Sequence, residues 1–437
     1  GLGKTVQVLA HLQRYRRRIK RADRLPCLLV APRSVLANWR LEAERFTPDL
    51  RVLAFDHTDR WANDGEELAS FDLVLTTYGL LRTDAPRFEE QQRRFDTVVL
   101  DEAQAIKNAT SQTAKAVRLL RAEHRLALTG TPVENHLGEL WSLFEFLNPG
   151  MLGRLRSFRE LFAGDRTPEI ADANRELIQR ALRPVMLRRT KQQVLTDLPE
   201  KVEQVLWCDL EGPQRRHYDE LRDHYRAQLL DPDQVQDDEM RFVALEALLR
   251  LRQAACHEGL VDKRRRAAAS AKFAELLPRL TELADEGHKV LVFSQFVQLL
   301  DLLAAELRKA DITFDRLDGR TRRRQEKVDR FQTDPDCAVF LISLKAGGTG
   351  LNLTAADYVF LLDPWWNPAV EQQAIDRSHR IGQQRTVHAY RLACRGTVEE
   401  RVLELQDRKR ALVEAVLGSE RSLLQDLTRE DLELLLR

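Results

Sequence analysis

The chain has 437 residues, of which 43% are hydrophobic and 31% are charged, and this mixture excludes a disordered chain. Its length predicts two or three domains. Lysine and arginine number 69 against 68 aspartates and glutamates, so the formal net charge is only +1. This balance excludes a global positive field, and any nucleic acid would have to be held by local basic segments.

The apolar segments and the cysteines predict a soluble intracellular protein. No apolar run approaches the roughly 18 residues of a membrane span, and no charged-then-apolar leader precedes the first motif. The cysteines lie far apart with no CxxC pair, which favours reduced thiols over a disulfide framework or a zinc site. They are Cys27, Cys208, Cys256, Cys337 and Cys394.

A phosphate-binding pattern occupies the first residues. Gly1-Leu2-Gly3-Lys4-Thr5 is the tail of GxxxxGK[ST], so we interpret the sequence as truncated inside this loop. Glycine lets backbone N–H groups approach phosphate oxygens, Lys4 would reach the β/γ-phosphates, and Thr5 could hold Mg²⁺. The alternative is a glycine-containing turn with an exposed lysine.

Short apolar segments then alternate with helical patterns. Helical periodicity follows Lys4 and covers Ser34–Phe46 and Ser111–Arg121, with apolar strands predicted between the helices at 27–30, 73–75, 98–100 and 126–128. This alternation predicts a parallel sheet. From Glu134 to Leu260 the strand signals stop, and we expect helical insertions and a linker.

Asp101 and Glu102 follow an apolar run, which places both carboxylates at the carboxyl end of a strand, where open α/β sheets bind ligands. Such an aspartate can position Mg²⁺, and the adjacent glutamate can polarise an attacking water. The alternative is a solvated acidic turn.

The next strand ends in Leu128–Pro132, a segment with two hydroxyl groups. These hydroxyls would link the nucleotide state to a neighbouring lobe, although this pattern alone could be a plain turn.

Strand signals return at 290–293, 338–342 and 358–362, which predicts a second lobe from Ser270 to Cys394 and a helix after Gly396. The expected fold class is therefore α/β, with two parallel-sheet lobes, helical protrusions and a C-terminal helical extension. The predicted domains are the first lobe, the protrusions with the linker, the second lobe and the extension, at 1–133, 134–269, 270–395 and 396–437.

A pair of arginines marks the second lobe. Gln373, Arg377, Arg380 and Gln383 form the pattern QxxxRxxRxxQ, which we interpret as helical, so that both arginines share one face. Guanidinium groups suit phosphate, and an arginine supplied across a cleft can neutralise charge on the transferring γ-phosphoryl group. The alternative is a salt-bridged surface helix.

Other segments of the chain suit phosphate or nucleic acid. The glycine-rich segment 343–352 permits the backbone to approach a phosphate or a nucleic-acid backbone closely. A tryptophan pair lies in 363–368, where the sequence is equally consistent with exposed and with buried rings. Among the basic runs, 14–21 favours a solvated helix face, 263–266 is equally consistent with a phosphate contact, and 322–324 could line a DNA groove.

Ordered motifs over nearly the whole chain resemble those of the SWI/SNF-type helicase-like ATPases of helicase superfamily two. They lie at 4–5, 29–34, 76–78, 101–108, 128–135, 187–191, 293–296, 317–319, 343–352 and 373–383. Residues 188–191, 249–253 and 366–368 separate this family from strand-separating helicases, and the short C-terminal tail is similar to that of bacterial members. In relatives an adenine-reading glutamine lies upstream of the phosphate loop, beyond this sequence.

The resemblance implies two RecA-like lobes closing on ATP, with Mg²⁺ held by Thr5 and Asp101. It assigns catalytic roles to Lys4, Glu102, Arg377 and Arg380, the two arginines acting as arginine fingers. The ATP-binding residues would be Gly1, Gly3, Lys4, Thr5, Asp101, Gly348, Gly350, Gln373, Arg377 and Arg380. Positions matching DNA-facing residues of the family are Arg33, Ser34, Thr76, Thr77, Ser294, Gln295, Lys345 and Trp366.

The implied function is that of an ATP-dependent translocase on double-stranded DNA. It would remodel or displace a DNA-bound protein such as RNA polymerase or a nucleoid or chromatin protein, in the bacterial nucleoid or, for a eukaryotic source, the nucleus. A strand-separating DNA or RNA helicase and a catalytically inactive nucleic-acid-binding fragment are the alternatives.

Overall fold

A computed structural model describes residues 2–20, 24–62, 65–130, 137–162, 180–187, 189, 194, 198–230, 237–347 and 351–404. These residues form two compact units, the first up to Val194 and the second from Leu198 onwards. Each unit contains a parallel β-sheet with helices, which confirms the predicted fold class. A search of the described helices finds none with the length and apolar character that a membrane crossing requires.

The first unit has a five-stranded sheet in the order β2-β3-β1-β4-β5, and every neighbouring pair is parallel. Its strands are β1 (Cys27–Ala31), β2 (Val52–Ala54), β3 (Leu73–Thr77), β4 (Arg94–Asp101) and β5 (Arg121–Leu128). Its helices are α1 (Lys4–Arg18), α2 (Arg33–Phe46), α3 (Tyr78–Glu90), α4 (Gln112–Leu119), α5 (Leu137–Leu147) and α6 (Leu155–Phe162).

Helices cover both faces of this sheet. Apolar residues of α1 and α2, such as Leu9 and Trp39, share a buried cluster with Leu29 of β1. On the opposite face, residues of α3 and α4 pack with the alternate strand residues, including Val30. Because both faces are buried, every residue of β1 and β3 is buried, and neither strand shows the alternation of a half-exposed strand.

The second unit has a six-stranded parallel sheet in the order β6-β11-β10-β7-β9-β8. Its strands are β6 (Lys201–Cys208), β7 (Val290–Ser294), β8 (Phe314–Leu317), β9 (Val339–Ser343), β10 (Tyr358–Leu361) and β11 (Val387–Cys394). Its helices are α7 (Gly212–Leu230), α8 (Asp237–Cys256), α9 (Ala271–Asp285), α10 (Val297–Lys309), α11 (Arg324–Thr333), α12 (Leu344–Gly347) and α13 (Pro368–Ile375).

One expectation for the middle of the chain is wrong. The sequence shows no strand signal between Glu134 and Leu260, yet β6 lies there and pairs with β11 along its whole length. The strand is mostly half-buried at the sheet's edge, so polar residues interrupt its apolar pattern. The domain boundaries at 133, 269 and 395 stay predictions, and the extension beyond Glu404 lies outside the described residues.

All five cysteines are within the described residues, and each is a buried free thiol. Cys208 and Cys394 are register partners on β6 and β11. Burial raises the pKa of the Cys27 thiol to about 12, so this side chain behaves as a small apolar residue of the first core.

Candidate functional site

The start of α1 is arranged to receive an anion. Gly3 precedes the helix with φ 69° and ψ 31°, a left-handed conformation that glycine adopts without strain. No side chain caps the helix, and its first turn contains no acidic residue. The N–H groups of this turn, beside the partly buried Lys4 and Thr5, are therefore available to a phosphate. Gly1 lies outside the described residues.

Asp101 ends β4 in a buried, hydrogen-bonded position and is only 7% exposed. The indole Nε1–H of Trp39 donates to Asp101 Oδ2 at 2.8 Å, and the backbone N–H of Glu102 donates to Oδ1 at 2.9 Å. The Tyr78 hydroxyl donates to the Asp101 carbonyl at 2.8 Å. Three neighbours therefore fix both the carboxylate and its backbone.

Electrostatics link Asp101 to Lys4 at the start of α1. Burial raises the pKa of Asp101, while the hydrogen bond from Trp39 and the positive charge of Lys4 act in the opposite direction. The lysine is thus an electrostatic neighbour of the strand-end carboxylate. The structure brings the first two predicted motifs together at the carboxyl end of the first sheet, as their positions in the sequence predict.

Glu102 adopts a conformation unusual for a non-glycine residue, with φ 50°. Such left-handed geometry is strained and persists only where the surroundings impose it, commonly at functional sites. Gln104 Nε2 donates to Glu102 Oε2 at 2.7 Å, and Thr129 Oγ1 donates to Gln104 Oε1 at 3.0 Å. Gln104 therefore connects the predicted water-activating carboxylate to the predicted Leu128–Pro132 motif, of which residues 131 and 132 lie outside the described residues.

A second buried carboxylate occupies the matching place in the second sheet. Asp363 follows β10 and is 1% exposed, and Ser294 Oγ donates to its Oδ1 at 2.5 Å. The backbone N–H of Gln295 lies 3.3 and 3.4 Å from the two carboxylate oxygens. Burial raises the pKa of Asp363 to about 6. Ser294, predicted to face DNA, is fully buried here and binds Asp363.

The predicted helix through Gln373 to Gln383 is wrong in its second half. Helix α13 ends at Ile375, and Arg377 and Arg380 lie in the turns that follow. The Gln383 amide donates to the carbonyls of Thr354, Ala356 and Ser378 and so holds the chain in this irregular path.

The two predicted arginine fingers therefore do not share a helix face. The side chain of Arg377 is 2% exposed, whereas Arg380 is partly exposed and its Nε donates to the Asp376 carbonyl at 3.0 Å. Gln373 lies in α13 and is partly buried. The catalytic role of the arginines stays a prediction.

The other predicted DNA-facing residues of the first unit differ in exposure. Arg33 begins α2 and is exposed, and Ser34 is the next residue of that helix. Thr76 and Thr77 end β3 and are buried; Thr77 accepts a hydrogen bond from the Leu80 backbone N–H and caps α3. The buried Thr77 hydroxyl therefore has a structural role in this unit.

In the second unit, Lys345 of α12 is exposed, and Gln295 and Trp366 are partly buried. Gly347 closes α12, where a Cβ atom would lie 2.7 Å from Phe293 Cε1. The backbone's close approach here is to an aromatic ring of the core. Gly348 and Gly350 lie outside the described residues.

Trp39 and Gln104 contribute to the site, although neither residue is predicted as a site residue from the sequence. The glutamine lies two positions after Glu102, and its amide is a natural partner for that carboxylate. The tryptophan is distant in sequence and carries no local signal.

Comparison with known families decides the assignment. Residues 1–260 match the SNF2-related domain, and residues 271–382 match the helicase conserved C-terminal domain. This chain belongs to the SNF2-related family. The two matches include the first sheet, five of the six strands of the second sheet, the Asp101 cluster and the arginine turn.

Several curated proteins are similar along nearly the whole chain. An uncharacterized ATP-dependent helicase of Mycoplasma pneumoniae is 36% identical over 439 residues, covering 99% of this chain and 41% of the relative. The TATA-binding protein-associated factor MOT1 of Saccharomyces cerevisiae is 32% identical over 507 residues, covering 99% of this chain and 27% of the relative. The chain thus spans less than half the length of these curated relatives.

Among solved structures, the Sulfolobus solfataricus SWI2/SNF2 ATPase core in complex with dsDNA is 34% identical. The comparison covers 99% of this chain and 90% of that one, with a TM-score of 0.46.

Proposed function

We propose that this protein hydrolyses ATP in a manner stimulated by double-stranded DNA and moves along the duplex, displacing bound proteins without separating the strands. The observation that carries the proposal is the cluster at the carboxyl end of the first sheet. There, a lysine at an uncapped helix start is an electrostatic neighbour of Asp101, which Trp39 holds beside Glu102.

The residues present fit a magnesium nucleotide. The N–H groups of α1 and the Lys4 ammonium would bind phosphate oxygens. Asp101 Oδ1 and Oδ2 each accept a hydrogen bond, and a carboxylate oxygen has a further lone pair for a cation, which Thr5 would also ligate. Bound Mg²⁺ would neutralise developing phosphate charge. Glu102, held by Gln104, would orient and deprotonate the attacking water.

The remaining charge stabilisation would come from the second unit. Arg380, and Arg377 beside it, are proposed to reach the γ-phosphate when the two units close on the nucleotide. Hydrolysis would then depend on the relative position of the units, which is what a motor requires in order to couple ATP turnover to movement.

Double-stranded DNA is the proposed track. The exposed Arg33 and Lys345 would contact backbone phosphates, so binding should show little base specificity and should weaken steeply with salt. The name of the similar factor MOT1 links that relative to a DNA-bound protein. We propose that the displaced partner is likewise a DNA-bound protein, such as RNA polymerase or a nucleoid or chromatin protein, in the nucleoid or the nucleus.

The experiment that tests the proposal replaces Arg380 with alanine in the full-length protein and measures ATP turnover with duplex DNA. Loss of an arginine finger should lower turnover by about 10³. Arg385→Ala is the matched control, because its side chain is 61% exposed and pairs with Asp357 at 3.1 Å. Near-normal turnover in Arg380→Ala would overturn the role of Arg380.

Two nucleic-acid assays separate the proposal from a strand-separating helicase. A translocase on duplex DNA should displace the third strand of a triplex while leaving a forked duplex intact. Robust duplex unwinding would favour the helicase instead. Turnover that is undetectable with and without DNA would indicate an inactive binding module.

A further inference from the structure

A buried arginine lies at the carboxyl end of the second sheet. Arg252 of α8 is 2% exposed, its Nη2 donates to the Pro364 carbonyl, and the same nitrogen lies 3.7 Å from Asp363 Oδ2. Its Nε has no hydrogen-bond partner among the described residues. A buried cation with an unsatisfied donor is a costly way to fill a core, so stability alone does not explain an arginine at this position.

Three aromatic rings surround this guanidinium. Its Cζ lies 5.8, 5.6 and 5.5 Å from the ring centroids of Phe296, Trp365 and Trp366. These distances are within the range of cation–π attraction, which strengthens when the cation is desolvated. Arg252 is therefore the common contact of the tryptophan pair and of the phenylalanine.

The rings belong to two neighbouring loops of the sheet. Phe296 follows β7 and the tryptophans follow β10, and these strands are adjacent. Asp363 joins the same loops through Ser294 Oγ and the Gln295 N–H. One arginine and one aspartate thus tie together the segments 294–296 and 363–366.

An ion pair fixes the tryptophan loop from its other side. The Trp365 backbone N–H donates to Glu371 Oε1 at 2.7 Å, and Arg391 Nε donates to Glu371 Oε2 at 2.9 Å. Glu371 is fully buried. The loop is therefore held by contacts that involve two buried cations, Arg252 and Arg391.

We propose that Arg252 is a positioning residue that holds the 294–296 and 363–366 loops in the arrangement in which they engage duplex DNA. The inference rests on the proposed function, because Gln295 and Trp366 are DNA-facing only under it. It makes α8, a helix outside the nucleotide site, part of the apparatus that couples DNA to ATP turnover.

The test uses variants that keep the core filled. Arg252→Lys retains the charge but loses the planar guanidinium that lies beside the three rings and whose Nη2 contacts both Pro364 and Asp363. The pair Arg252→Met with Asp363→Asn removes both charges at nearly constant volume, which avoids leaving a buried carboxylate alone. Arg250→Lys is the control on the same helix, since Arg250 is partly exposed and pairs with Glu246.

The readouts are DNA-free ATPase activity and the DNA concentration that gives half-maximal stimulation, in the full-length protein. We expect both test variants to keep their DNA-free activity and to need more DNA than wild type. The increase should be about fivefold to thirtyfold for the pair of substitutions, which removes a desolvated cation–π contact. Arg250→Lys should match wild type. A half-maximal DNA concentration within about twofold of wild type, in test variants that fold, would overturn the proposal.

A double-mutant cycle that combines Arg252→Lys with Trp366→Leu distinguishes a positioning role from a general loosening of the core. If Arg252 acts through the tryptophan, Arg252→Lys should add little to the defect of Trp366→Leu. Defects that multiply would contradict the inference.

Acrylamide quenching of tryptophan fluorescence tests the positioning role of Arg252 without relying on the ATPase assay. We expect more quenchable fluorescence in Arg252→Lys than in wild type or Arg250→Lys. Unchanged quenching would overturn the positioning role, even in a protein that DNA does not stimulate. Absent DNA stimulation of wild type would instead count against the proposed function.

Discussion

The indole of Trp39 donates a hydrogen bond of 2.8 Å to the carboxylate of Asp101, from a position 62 residues earlier in the chain. The contact joins α2 to the end of β4, and both side chains are buried. A buried carboxylate without partners would be strongly destabilised. Trp39 therefore has a double role: it fills the core on one face of the sheet and holds the acidic group that the proposed chemistry needs.

Replacing Trp39 with phenylalanine should raise the pKa of Asp101 further, because the substitution removes a donor that lowers it. Since the proposed cation requires the ionised carboxylate, the acidic limb of the ATPase pH profile should move to higher pH. Stability should fall by about 1 to 3 kcal/mol from the lost hydrogen bond. The measurements are turnover against pH and denaturant unfolding.

Trp141→Phe is the control for this prediction. Trp141 is also buried in the first unit, but its Nε1–H donates to the Gly153 carbonyl at 2.9 Å. Its replacement should cost stability without moving the pH profile. A profile that shifts equally in both variants would contradict a specific link between Trp39 and Asp101.

Gln104→Ala should slow hydrolysis while leaving nucleotide binding almost unchanged. The amide holds Glu102 and receives the Thr129 hydroxyl, so its removal frees the carboxylate to leave its position. A misplaced general base costs about tenfold to a hundredfold in kcat. Thr129→Val should act in the same direction with a smaller effect, and the exposed Gln112→Ala serves as control. Unchanged kcat in Gln104→Ala would refute the arrangement.

Asp363 should make the protein's stability depend on pH. Its pKa in the folded protein, about 6, is above the ordinary value of 3.8, so between these values the folded state binds a proton that the unfolded state releases. Its contribution to stability is therefore present at low pH and is lost as pH rises through about 4 to 6. The free energy of unfolding of wild type minus that of Asp363→Asn should fall by up to about 1.4 kcal/mol per pH unit there.

Asp334→Asn provides a contrast of opposite sign. The hydrogen bond from Arg330 lowers the pKa of Asp334, so this carboxylate contributes stability above its unfolded pKa and loses it as pH falls. The free energy of unfolding of wild type minus that of Asp334→Asn should therefore rise with pH. This rise should lie at more acidic pH than the fall expected for Asp363. Equal slopes of the two free-energy differences against pH would contradict the raised pKa that burial gives Asp363.

Gly347→Ala should destabilise the second unit through a steric clash. The new methyl would lie 2.7 Å from Phe293 Cε1 and 3.2 Å from Ile342 Cγ2, both in the core. Overpacking of this kind costs about 1 to 3 kcal/mol, measurable by denaturant unfolding. Gly319→Ala is the control, because no atom lies within 4 Å of its Cβ position. Equal stability of the two variants would disprove the close contact.

The sequence predicts strands at β1, β3, β4, β5, β7, β9 and β10, whereas β2, β6, β8 and β11 could not be predicted. Residues of β1, β3 and β7 are buried without exception, and the apolar runs with which these strands begin stand out in the sequence. In contrast, β6 mixes polar and apolar residues, since Lys201, Glu203 and Gln204 interrupt its apolar pattern. This strand is paired along one side only. Pairing with β11, far along the chain, is what makes this segment a strand.

The site could be predicted where one short segment carries its chemistry. The strand before Asp101 and the glycine before Lys4 place these residues by local rules alone. The end of α13 could not be predicted, since contacts of Gln383 with the distant Thr354 and Ala356 fix it. Likewise, the environment of Asp363 depends on Arg252, which lies on a helix that no catalytic pattern marks.

The central claim is that duplex DNA drives ATP turnover at the cluster of Lys4, Asp101 and Glu102. The most direct measurement is ATP turnover by the full-length protein and its Glu102→Gln variant, with and without blunt-ended duplex. We predict that duplex DNA stimulates the wild type and that the variant loses about 10² or more in kcat, as removal of a general base requires. Wild-type turnover indifferent to duplex DNA, or a Glu102→Gln variant as active as wild type, would contradict the account.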